Sequence, residues 1–218
     1  MVIMDANGCT FTVNFNIGNT GSPSSAVATL SNVSCFGGAN GSFTLNTFGG
    51  TPNYNYTLTP GNITSGFGFF TNLTAQNYTV NVQDALGCVT TVTLNISQPS
   101  PLTLTLTSIQ PSCFGGNNGT ITASAGGGTG PYQYNINNGP NQASNTFTTN
   151  ISAGAYNITV VDSKGCTLTQ SVIVANPTPI TLALTSTNAI CSGFNGVASV
   201  TATGGAGGYI YFFLAIKL

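Results

Sequence analysis

The sequence predicts an all-β protein in which small antiparallel domains follow one another along the chain. The first observation behind this prediction is a repeat, because Cys35, Cys113 and Cys191 follow one another at a constant spacing (113 − 35 = 78 and 191 − 113 = 78). Cys88 and Cys166 keep the same spacing (166 − 88 = 78). The second observation is that apolar and polar residues alternate with period two in short runs, whereas no stretch carries a useful helical period. A tandem array of short-stranded domains follows from these two features.

Six runs predict the strands of one repeat, and clusters of Gly, Asn and Pro separate them as turns require. In the second repeat these runs are LTLTLTS (102–108), GTITASA (119–125), YQYNI (132–136), NTFTTNI (145–151), AYNITVVD (155–162) and CTLTQSVIV (166–174). Six or seven short strands in a repeat of this length predict a small antiparallel β-sandwich of the immunoglobulin-like or fibronectin-like kind. A compact barrel is the alternative architecture.

Prolines mark the beginnings of the repeats, since Pro23, Pro101 and Pro179 recur at the same spacing as the cysteines (101 − 23 = 78 and 179 − 101 = 78). The predicted domains are the end of a preceding repeat (1–22), a first complete repeat (23–100), a second complete repeat (101–178) and the start of a following repeat (179–218). A unit of this length can enclose its own small core. We therefore expect separate beads on a string rather than a continuous solenoid.

The composition excludes most functions that depend on charge. Charged residues make up 2% of the chain, and there is no His. General acid–base catalysis needs a titratable group with a tuned pKa, and a nucleophilic serine needs a base beside it. Two basic residues cannot form a groove for nucleic acid, and no apolar run approaches the length of a spanning helix. We expect no enzyme, no metal, no cofactor, no nucleic-acid partner and no membrane span in this chain.

A glycine-rich loop recurs as CFGGANG (35–41) and CFGGNNG (113–119), and in a shorter form as CSGFNG (191–196). It connects the first and second predicted strands of each repeat. Glycine and asparagine adopt positive φ and allow close backbone approach at little steric cost. A phosphate-binding loop is a poor alternative because the lysine and the following helix of such loops are missing.

The three acidic residues occupy equivalent turns, DANGC (5–9), DALGC (84–88) and DSKGC (162–166). An aspartate in a turn accepts hydrogen bonds from backbone amides a few residues later, and a glycine suits a left-handed conformation. We therefore predict structural turns at Asp5, Asp84 and Asp162, with Gly87 and Gly165 as the left-handed residues. Calcium binding is the alternative, although each repeat offers one carboxylate where such sites use several oxygen ligands.

Paired cysteines at a regular spacing are typical of exported proteins, in which disulfides stabilise small domains. We predict bonds within each complete repeat, Cys35–Cys88 and Cys113–Cys166, which leave Cys9 and Cys191 without partners in this chain. A second arrangement uses all six residues and links neighbouring repeats, as Cys9–Cys35, Cys88–Cys113 and Cys166–Cys191. For extended domains it would require two loops at the same end of adjacent repeats to meet, and geometry disfavours that.

Tyrosines recur in pairs, as Tyr54 and Tyr56 in YNY and as Tyr132 and Tyr134 in YQY. Two tyrosines on one face of a strand favour core packing with the hydroxyls at the rim. An exposed aromatic platform that binds carbohydrate is the alternative for these four residues. Two single tyrosines, Tyr78 and Tyr156, each lie ten residues before a cysteine. We predict that they fasten the penultimate strand at a corner.

The ordered elements SCFGG-x-NG, then GGT-x-PY-x-Y or its variant, then the D-x-x-GC turn, resemble the SprB-type repeat of bacterial surface adhesins. The resemblance covers both complete repeats and parts of the flanking ones. It implies an exported, extracellular protein of the cell surface, in many relatives secreted by the type IX route, and in gliding bacteria an adhesive filament that the envelope motor moves. The third copy departs from the pattern after Tyr211, where the expected alternation is lost.

Three functions remain for comparison. The first is a non-catalytic stalk and adhesive segment, whose partners are neighbouring repeats, other copies in a filament, and surface glycans or abiotic material. The second is a carbohydrate-binding module of a secreted protein. The third is a self-polymerising extracellular fibre subunit, in which Cys191 of one chain bonds Cys9 of the next.

Overall fold

The computed structural model describes residues 2–14, 21–188, 190 and 196–212. Its described residues form short β-strands and turns with no helix, as the sequence predicts. The chain divides into two compact units, Met1–Gln98 and Pro99–Leu218. Within the described part of the chain no helix is able to cross a membrane.

The described residues of the first unit form nine strands: β1 (Val2–Met4), β2 (Thr10–Thr12), β3 (Ser24–Ser31), β4 (Gly41–Phe48), β5 (Asn55–Thr59), β6 (Ile63–Ser65), β7 (Phe69–Leu73), β8 (Gln76–Gln83) and β9 (Val89–Ile96). Strands β1 and β2 form a separate hairpin. The others form two antiparallel sheets, one in the order β3-β4-β7 and one in the order β6-β5-β8-β9. A bulge between Val27 and Thr29 shifts the register of β3 against β4.

The core of the first unit takes side chains from both of its larger sheets. Phe43 and Phe70 come from the first sheet, and their rings stack with centroids 5.1 Å apart. Leu58 and Val80 come from the second sheet, and both are fully buried. Alternation explains this arrangement, because every second residue of β4 and β8 points to the same side of its sheet.

The second unit contains β10 (Thr103–Ile109), β11 (Thr120–Gly126), β12 (Gln133–Ile136), β13 (Thr146–Phe147), β14 (Gly154–Val161), β15 (Thr167–Val174), β16 (Thr181–Thr187) and β17 (Val197–Thr203). Its sheets have the orders β10-β11-β13 and β12-β14-β15, and β16 pairs with β17 as a hairpin. Ile121, Ile158 and Val160 lie at the centre of its core. The six runs of the sequence each coincide with a strand, although β13 is only two residues long.

Each repeat has two ends, defined here by where the chain enters and leaves. At the near end, the segment before β3 meets the turn after β4, because a Cβ on Gly50 would lie 3.1 Å from the backbone nitrogen of Pro23. At the far end, the segment after β9 meets the loop after β3, where Val33 donates its backbone N–H to the carbonyl of Ser97 at 3.0 Å. The chain therefore enters the repeat at one end of its strands and leaves it at the other.

Candidate functional site

The near end of the first repeat is built around the carboxylate of Asp84. Its Oδ1 accepts hydrogen bonds from the backbone amides of Leu86 (3.0 Å) and Cys88 (2.8 Å). Its Oδ2 accepts one from the backbone amide of Thr51 (2.9 Å). Gly87 has a φ of +87°, so the predicted turn with a left-handed glycine is present. The carboxylate also joins this turn to the segment after β4, which lies 33 residues earlier.

The second repeat builds the same contacts around Asp162. Its Oδ1 accepts from the amides of Lys164 and Cys166, both at 2.9 Å. Its Oδ2 accepts from the amide of Thr129 at 2.8 Å, and Gly165 has a φ of +82°. In the N-terminal hairpin Asp5 accepts from the amides of Asn7 and Cys9, both at 2.9 Å. All three aspartates therefore act in structural turns.

The link from the aspartate to a threonine amide was not predicted from the sequence. It depends on a glycine pair before the threonine, since a Cβ on Gly50 or on Gly128 would lie 2.7 Å from the aspartate Oδ2 of its own repeat. The signal in the sequence is the GGT that precedes the tyrosine pair in both repeats. Only glycine allows the carboxylate to approach so closely at these positions.

The pKa values of both buried aspartates lie below the ordinary value for the group. For Asp84 the amide of Thr51 has the largest effect and outweighs the loss of hydration. For Asp162 loss of hydration is the largest single effect, and it raises the pKa. Four backbone amides together lower the pKa by more than this, those of Thr129, Cys166, Lys164 and Gly165. Backbone N–H groups stabilise the ionised form in both cases. Each carboxylate is saturated by backbone donors of its own repeat, which does not favour calcium binding.

The far end carries the glycine-rich loop. In the first repeat Gly37 has a φ of +74°, and its backbone amide donates to Oε1 of Gln98 at 2.7 Å. In the second repeat Gly115 has a φ of +73° and donates to Oδ1 of Asn176 at 3.2 Å. The predicted positive φ of this loop is confirmed. The loop holds the segment by which the chain leaves the repeat.

The predicted disulfides within a repeat, Cys35–Cys88 and Cys113–Cys166, are absent from this structure. Cys35 and Cys166 are each disulfide-bonded, whereas Cys88 and Cys113 have free thiols. The reason is geometric: Cys88 immediately precedes Val89 at the start of β9, whereas the loop of Cys35 contacts Gln98 after the end of that strand. Eight residues of strand separate them by about 23 Å at 3.3 Å per residue, well beyond the Cα separation that a disulfide tolerates.

The alternative arrangement of the cysteines is not found either. It pairs Cys9 with Cys35 and Cys88 with Cys113, but the thiols of Cys9, Cys88 and Cys113 are free. Its third pair includes Cys191, which lies outside the described residues, as do residues 213–218 at the end of the chain.

The paired tyrosines pack inward, so the alternative of an exposed platform is wrong for Tyr56 and Tyr134. These two residues are only 5% and 6% exposed and belong to the cores of their units. Tyr54 and Tyr132 are half-buried against the same cores. The hydroxyl of Tyr54 donates to the carbonyl of Gly49, and that of Tyr132 to the carbonyl of Gly127, both at 2.6 Å. Residues two apart on a strand share one face, and here that face is the core.

The single tyrosines fasten the strands in which they lie, β8 and β14. The hydroxyl of Tyr78 donates to the carbonyl of Thr74 at 3.2 Å, and that of Tyr156 to the carbonyl of Ser152 at 3.0 Å. Each bond joins the third residue of the penultimate strand to the backbone four residues earlier, as predicted for a corner. In the third, partial copy the hydroxyl of Tyr209 donates to the carbonyl of Gly204, which repeats the Tyr54 and Tyr132 contact.

The outer faces of the last two strands carry uncharged hydrogen-bonding pairs. In the first repeat Asn95 donates to Asn77 at 2.7 Å, and Thr91 to Asn81 at 3.0 Å. In the second repeat Ser171 donates to Asn157 at 2.7 Å, and the hydroxyls of Thr159 and Thr169 lie 2.8 Å apart. We call these pairs the polar ladder.

One cleft in the second repeat has uncharged polar walls. It is lined by Asn137, Gln142, Asn150 and Tyr156 over a floor that includes Ile151. The tyrosine hydroxyl is already engaged with the backbone of Ser152, to which it donates and from which it accepts. Amide and hydroxyl groups of this kind can exchange hydrogen bonds with a neutral polar ligand.

Comparison with known proteins identifies the repeating unit. A search of curated proteins found no match. The family model named SprB repeat matches residues 27–63 and again residues 105–141, and the two matched segments are offset by the spacing that also separates the cysteines (105 − 27 = 78). SprB repeats are a structural repeat type with no known catalytic activity, and they are typical of surface gliding-motility adhesins. The chain contains two SprB repeats, at residues 27–63 and 105–141.

Proposed function

We propose that this chain is a non-catalytic segment of a secreted cell-surface adhesin, in which the repeats act as a stalk and present an adhesive surface, in the context of gliding motility. We further propose that each complete repeat, 23–100 and 101–178, is an immunoglobulin-like sandwich, and that residues 1–22 and 179–218 are parts of adjoining repeats. The localisation that follows is extracellular, on the cell surface.

The stalk role is carried by one observation, the separation of chain entry and chain exit in each repeat. The near end is held by Asp84 and the far end by the loop that binds Gln98. Between them lie eight-residue strands, so each repeat adds at least about 23 Å along its strand direction. Each repeat also has its own core. Copies of such a unit in series extend a chain without needing partners to fold.

The adhesive role is supported by the character of the surface. The formal net charge is −1 over 218 residues, which removes long-range repulsion toward other copies and toward charged surfaces. The polar ladder offers pairs of amide and hydroxyl groups in regular register. Such groups exchange hydrogen bonds with water, glycans and hydroxylated mineral surfaces at little cost. Neighbouring repeats, other copies of the chain and such surfaces are the proposed partners.

Adhesion of beads coated with the chain tests this proposal. Retention under flow would be measured on glass and on glycan-coated surfaces for the wild-type chain and for a Thr91→Val, Thr159→Val, Thr169→Val variant. Valine keeps the strand propensity but removes three of the four hydroxyl groups of the ladder, so we expect retention to fall several-fold. The matched Thr→Ser triple variant keeps the hydroxyls and should bind like the wild type. Equal retention of all three proteins would show that the hydroxyl groups of the polar ladder do not contribute to adhesion, and would contradict the proposed adhesive role.

A carbohydrate-binding module is the second candidate, and the cleft of the second repeat is the observation in its favour. It predicts binding to a glycan array that is lost in Asn150→Leu and kept in an Asn77→Leu control on the ladder. The third candidate, a self-polymerising fibre, predicts a ladder of multimers in non-reducing electrophoresis that disappears in Cys9→Ser.

A further inference from the structure

We propose that the cleft of the second repeat binds one neutral sugar unit of a glycan, and that the first repeat does not. The inference rests on the second candidate function, which it deepens by naming the ligand class and the groups that hold the ligand. The cleft is formed entirely by residues of the second repeat and has a volume of about 420 Å³. This volume lies within the usual range for small-molecule sites.

Two amide side chains that line the cleft are each fixed through one polar atom, which leaves the other for a ligand. The Oδ1 of Asn137 accepts the backbone N–H of Asn157 at 2.9 Å, so its Nδ2 remains as a donor. The Nε2 of Gln142 donates to the carbonyls of Ser144 (2.9 Å) and Thr146 (3.2 Å). The Oε1 of Gln142 therefore remains as an acceptor.

A third amide, Asn150, supplies a second donor. Its Oδ1 accepts a hydrogen bond from Nδ2 of Asn117 at 3.4 Å, and its own Nδ2 has no partner among the described residues. Two donors and one acceptor are thus held in place before a ligand binds, which lowers the entropy cost of binding. The lining residues include no carboxylate, lysine or arginine. A charged ligand would lose hydration there without gaining a counter-charge, so the cleft favours a neutral one.

The floor of the cleft is apolar. It includes Ile136, Phe147 and Ile151, and the last two belong to the core of the repeat. An apolar surface with a few fixed polar groups around it is typical of small-molecule sites. A sugar ring has the matching chemistry, because its C–H groups can cover the floor while its hydroxyls donate to and accept from the three amides.

A peptide strand is a poorer ligand for the same cleft, because the backbone edge beside it is already paired. Tyr134 donates its backbone N–H to the carbonyl of Gln142 and accepts the N–H of Gln142, both at 2.8 Å. This bridge occupies the edge of β12 at Tyr134. Strand addition needs a free row of backbone N–H and C=O groups, whereas a saccharide can bind through the side-chain amides alone.

The corresponding region of the first repeat is covered by a side chain that the second repeat lacks. Tyr78, the equivalent of Tyr156, is only 3% exposed, whereas Tyr156 is half-buried and lines the cleft. Gln76 covers Tyr78, since its Nε2 donates to the tyrosine hydroxyl at 2.8 Å. The equivalent of Gln76 is Gly154 (76 + 78), where a Cβ would meet no atom within 4 Å. The space beside Tyr156 is therefore open to a ligand.

The side-chain amide signals of the full chain in two-dimensional NMR spectra provide the test. The probes are the neutral methyl glycosides of glucose, galactose, mannose and N-acetylglucosamine, with glucuronate as a charged probe and a blocked trialanine as a neutral peptide. We expect at least one neutral sugar to shift the signals of Asn137, Gln142 and Asn150 saturably, with a dissociation constant on the order of 1 mM. Equal shifts in both repeats, tighter binding of glucuronate, or a response to the peptide alone would overturn the proposal.

Two isosteric substitutions identify the donors. Asn137→Asp and Asn150→Asp each keep the oxygen acceptor that fixes the side chain but remove the Nδ2 donor, so we expect the affinity for the sugar to fall about fivefold in either variant. Asn46→Asp adds the same charge at an exposed position of β4 and should bind like the wild type. Undiminished affinity in both cleft variants would contradict the assignment. Sugar binding that leaves the three amide signals unchanged would refute this site but not the carbohydrate-binding candidate.

Discussion

The two repeats differ in the middle and agree at the ends. In the first repeat β5 turns back into β6, pairing Leu58 with Ile63. In the second repeat, all of which the structure describes, β12 is followed instead by an isolated bridge between Tyr134 and Gln142. In the first repeat the rings of Phe43 and Phe70 stack. In the second repeat β11 and β13 pair over two residues, with Ile121 opposite Phe147.

The contacts at the ends are almost identical in the two repeats. The distance from the aspartate Oδ2 to the threonine amide is 2.9 Å in one and 2.8 Å in the other. The distance from the tyrosine hydroxyl to the glycine carbonyl is 2.6 Å in both. Core positions exchange one apolar side chain for another while volume is kept, but backbone contacts at the ends depend on particular residues. The two repeats therefore share the hydrogen bonds at their ends, where successive repeats are joined along the chain.

The largest effect is expected at a glycine that is present in both repeats but has closer neighbours in the second. Gly127 has a φ of +69°, and a Cβ there would lie only 1.9 Å from the carbonyl oxygen of Pro101. Its equivalent Gly49 has a φ of +70°, but its nearest neighbour, the carbonyl oxygen of Ser22, is 3.4 Å away. Gly127→Ala should cost more than about 3 kcal/mol because the backbone must move. Gly49→Ala should cost about 1–2 kcal/mol, the strain of a left-handed alanine.

Scanning calorimetry of the reduced chain would measure this difference. The transition of the second repeat should shift strongly in Gly127→Ala and that of the first repeat modestly in Gly49→Ala. Equal shifts in the two variants would show that the close approach to Pro101 is not a constraint.

The second-largest effect is expected for the two aspartates that make the same contacts at the near ends of the two repeats. Because the folded-state pKa of Asp84 and Asp162 is lowered, each carboxylate contributes stability that is present above its unfolded pKa, about 3.9. That contribution is lost as the pH falls through the lower, folded-state pKa. Unfolding in urea should show stability that is level from pH 8 to 5 and falls below about pH 4.

Asparagine substitutions test the origin of that pH dependence. Asp84→Asn and Asp162→Asn should each lower stability at pH 7. The side-chain NH2 of the asparagine would face the backbone N–H of the threonine, so two hydrogen-bond donors would lie opposite each other. Together they should flatten the fall below pH 4. Asp5→Asn, in the hairpin outside both repeats, is the matched control and should leave both repeats unchanged. An unaltered acid profile in the double variant would mean that other groups cause it.

A smaller difference is expected at the tyrosine corners. Tyr78 is 3% exposed and its hydroxyl also accepts from Nε2 of Gln76 at 2.8 Å, whereas Tyr156 is half-buried. Tyr78→Phe should cost about 1–2 kcal/mol because the carbonyl of Thr74 loses its hydroxyl donor at a buried position. Tyr156→Phe should cost about 1 kcal/mol or less, since water replaces the lost bond. Urea unfolding monitored separately for the two repeats would rank them, and the reverse order would show that burial does not decide the effect.

The smallest effect is expected at a buried amide in the middle of the second repeat. Asn135 is 9% exposed, and its Oδ1 has no hydrogen-bond partner among the described residues. The equivalent position of the first repeat is Thr57 (135 − 78). Asn135→Thr should therefore change stability by less than about 1 kcal/mol in either direction. Its Nδ2 donates to Oδ1 of Asn141 at 2.8 Å, so a loss of several kcal/mol would show that this hydrogen bond outweighs the unpaired Oδ1.

Local patterns in the sequence predicted local structure well. Alternation located the strands, including β14 and β15, and the D-x-x-GC pattern predicted the turns at Asp84 and Asp162. The inward packing of Tyr56 and Tyr134 follows from their spacing on a strand, although the sequence left a ligand-facing alternative open. Each of these features is decided by interactions within a few residues.

Features that join distant segments could not be predicted in the same way. The bond from Asp84 to the amide of Thr51 spans 33 residues and depends on the path of two loops. The cysteine spacing shows which residues are equivalent but does not show at which end of a strand each one lies. That information comes from the contact of the Cys35 loop with Gln98, which places Cys35 and Cys88 at opposite ends of β9.

Native-state hydrogen exchange of the reduced Gly127→Ala chain tests most directly whether each repeat is a self-contained folding unit. Protection of backbone amides would be followed in β11 and β14 of the second repeat and in β4 and β8 of the first. Separate cores predict that protection falls by orders of magnitude in β11 and β14 while β4 and β8 keep the wild-type rates. An equal loss of protection in all four strands would show that the two repeats unfold as one body, and would contradict the account.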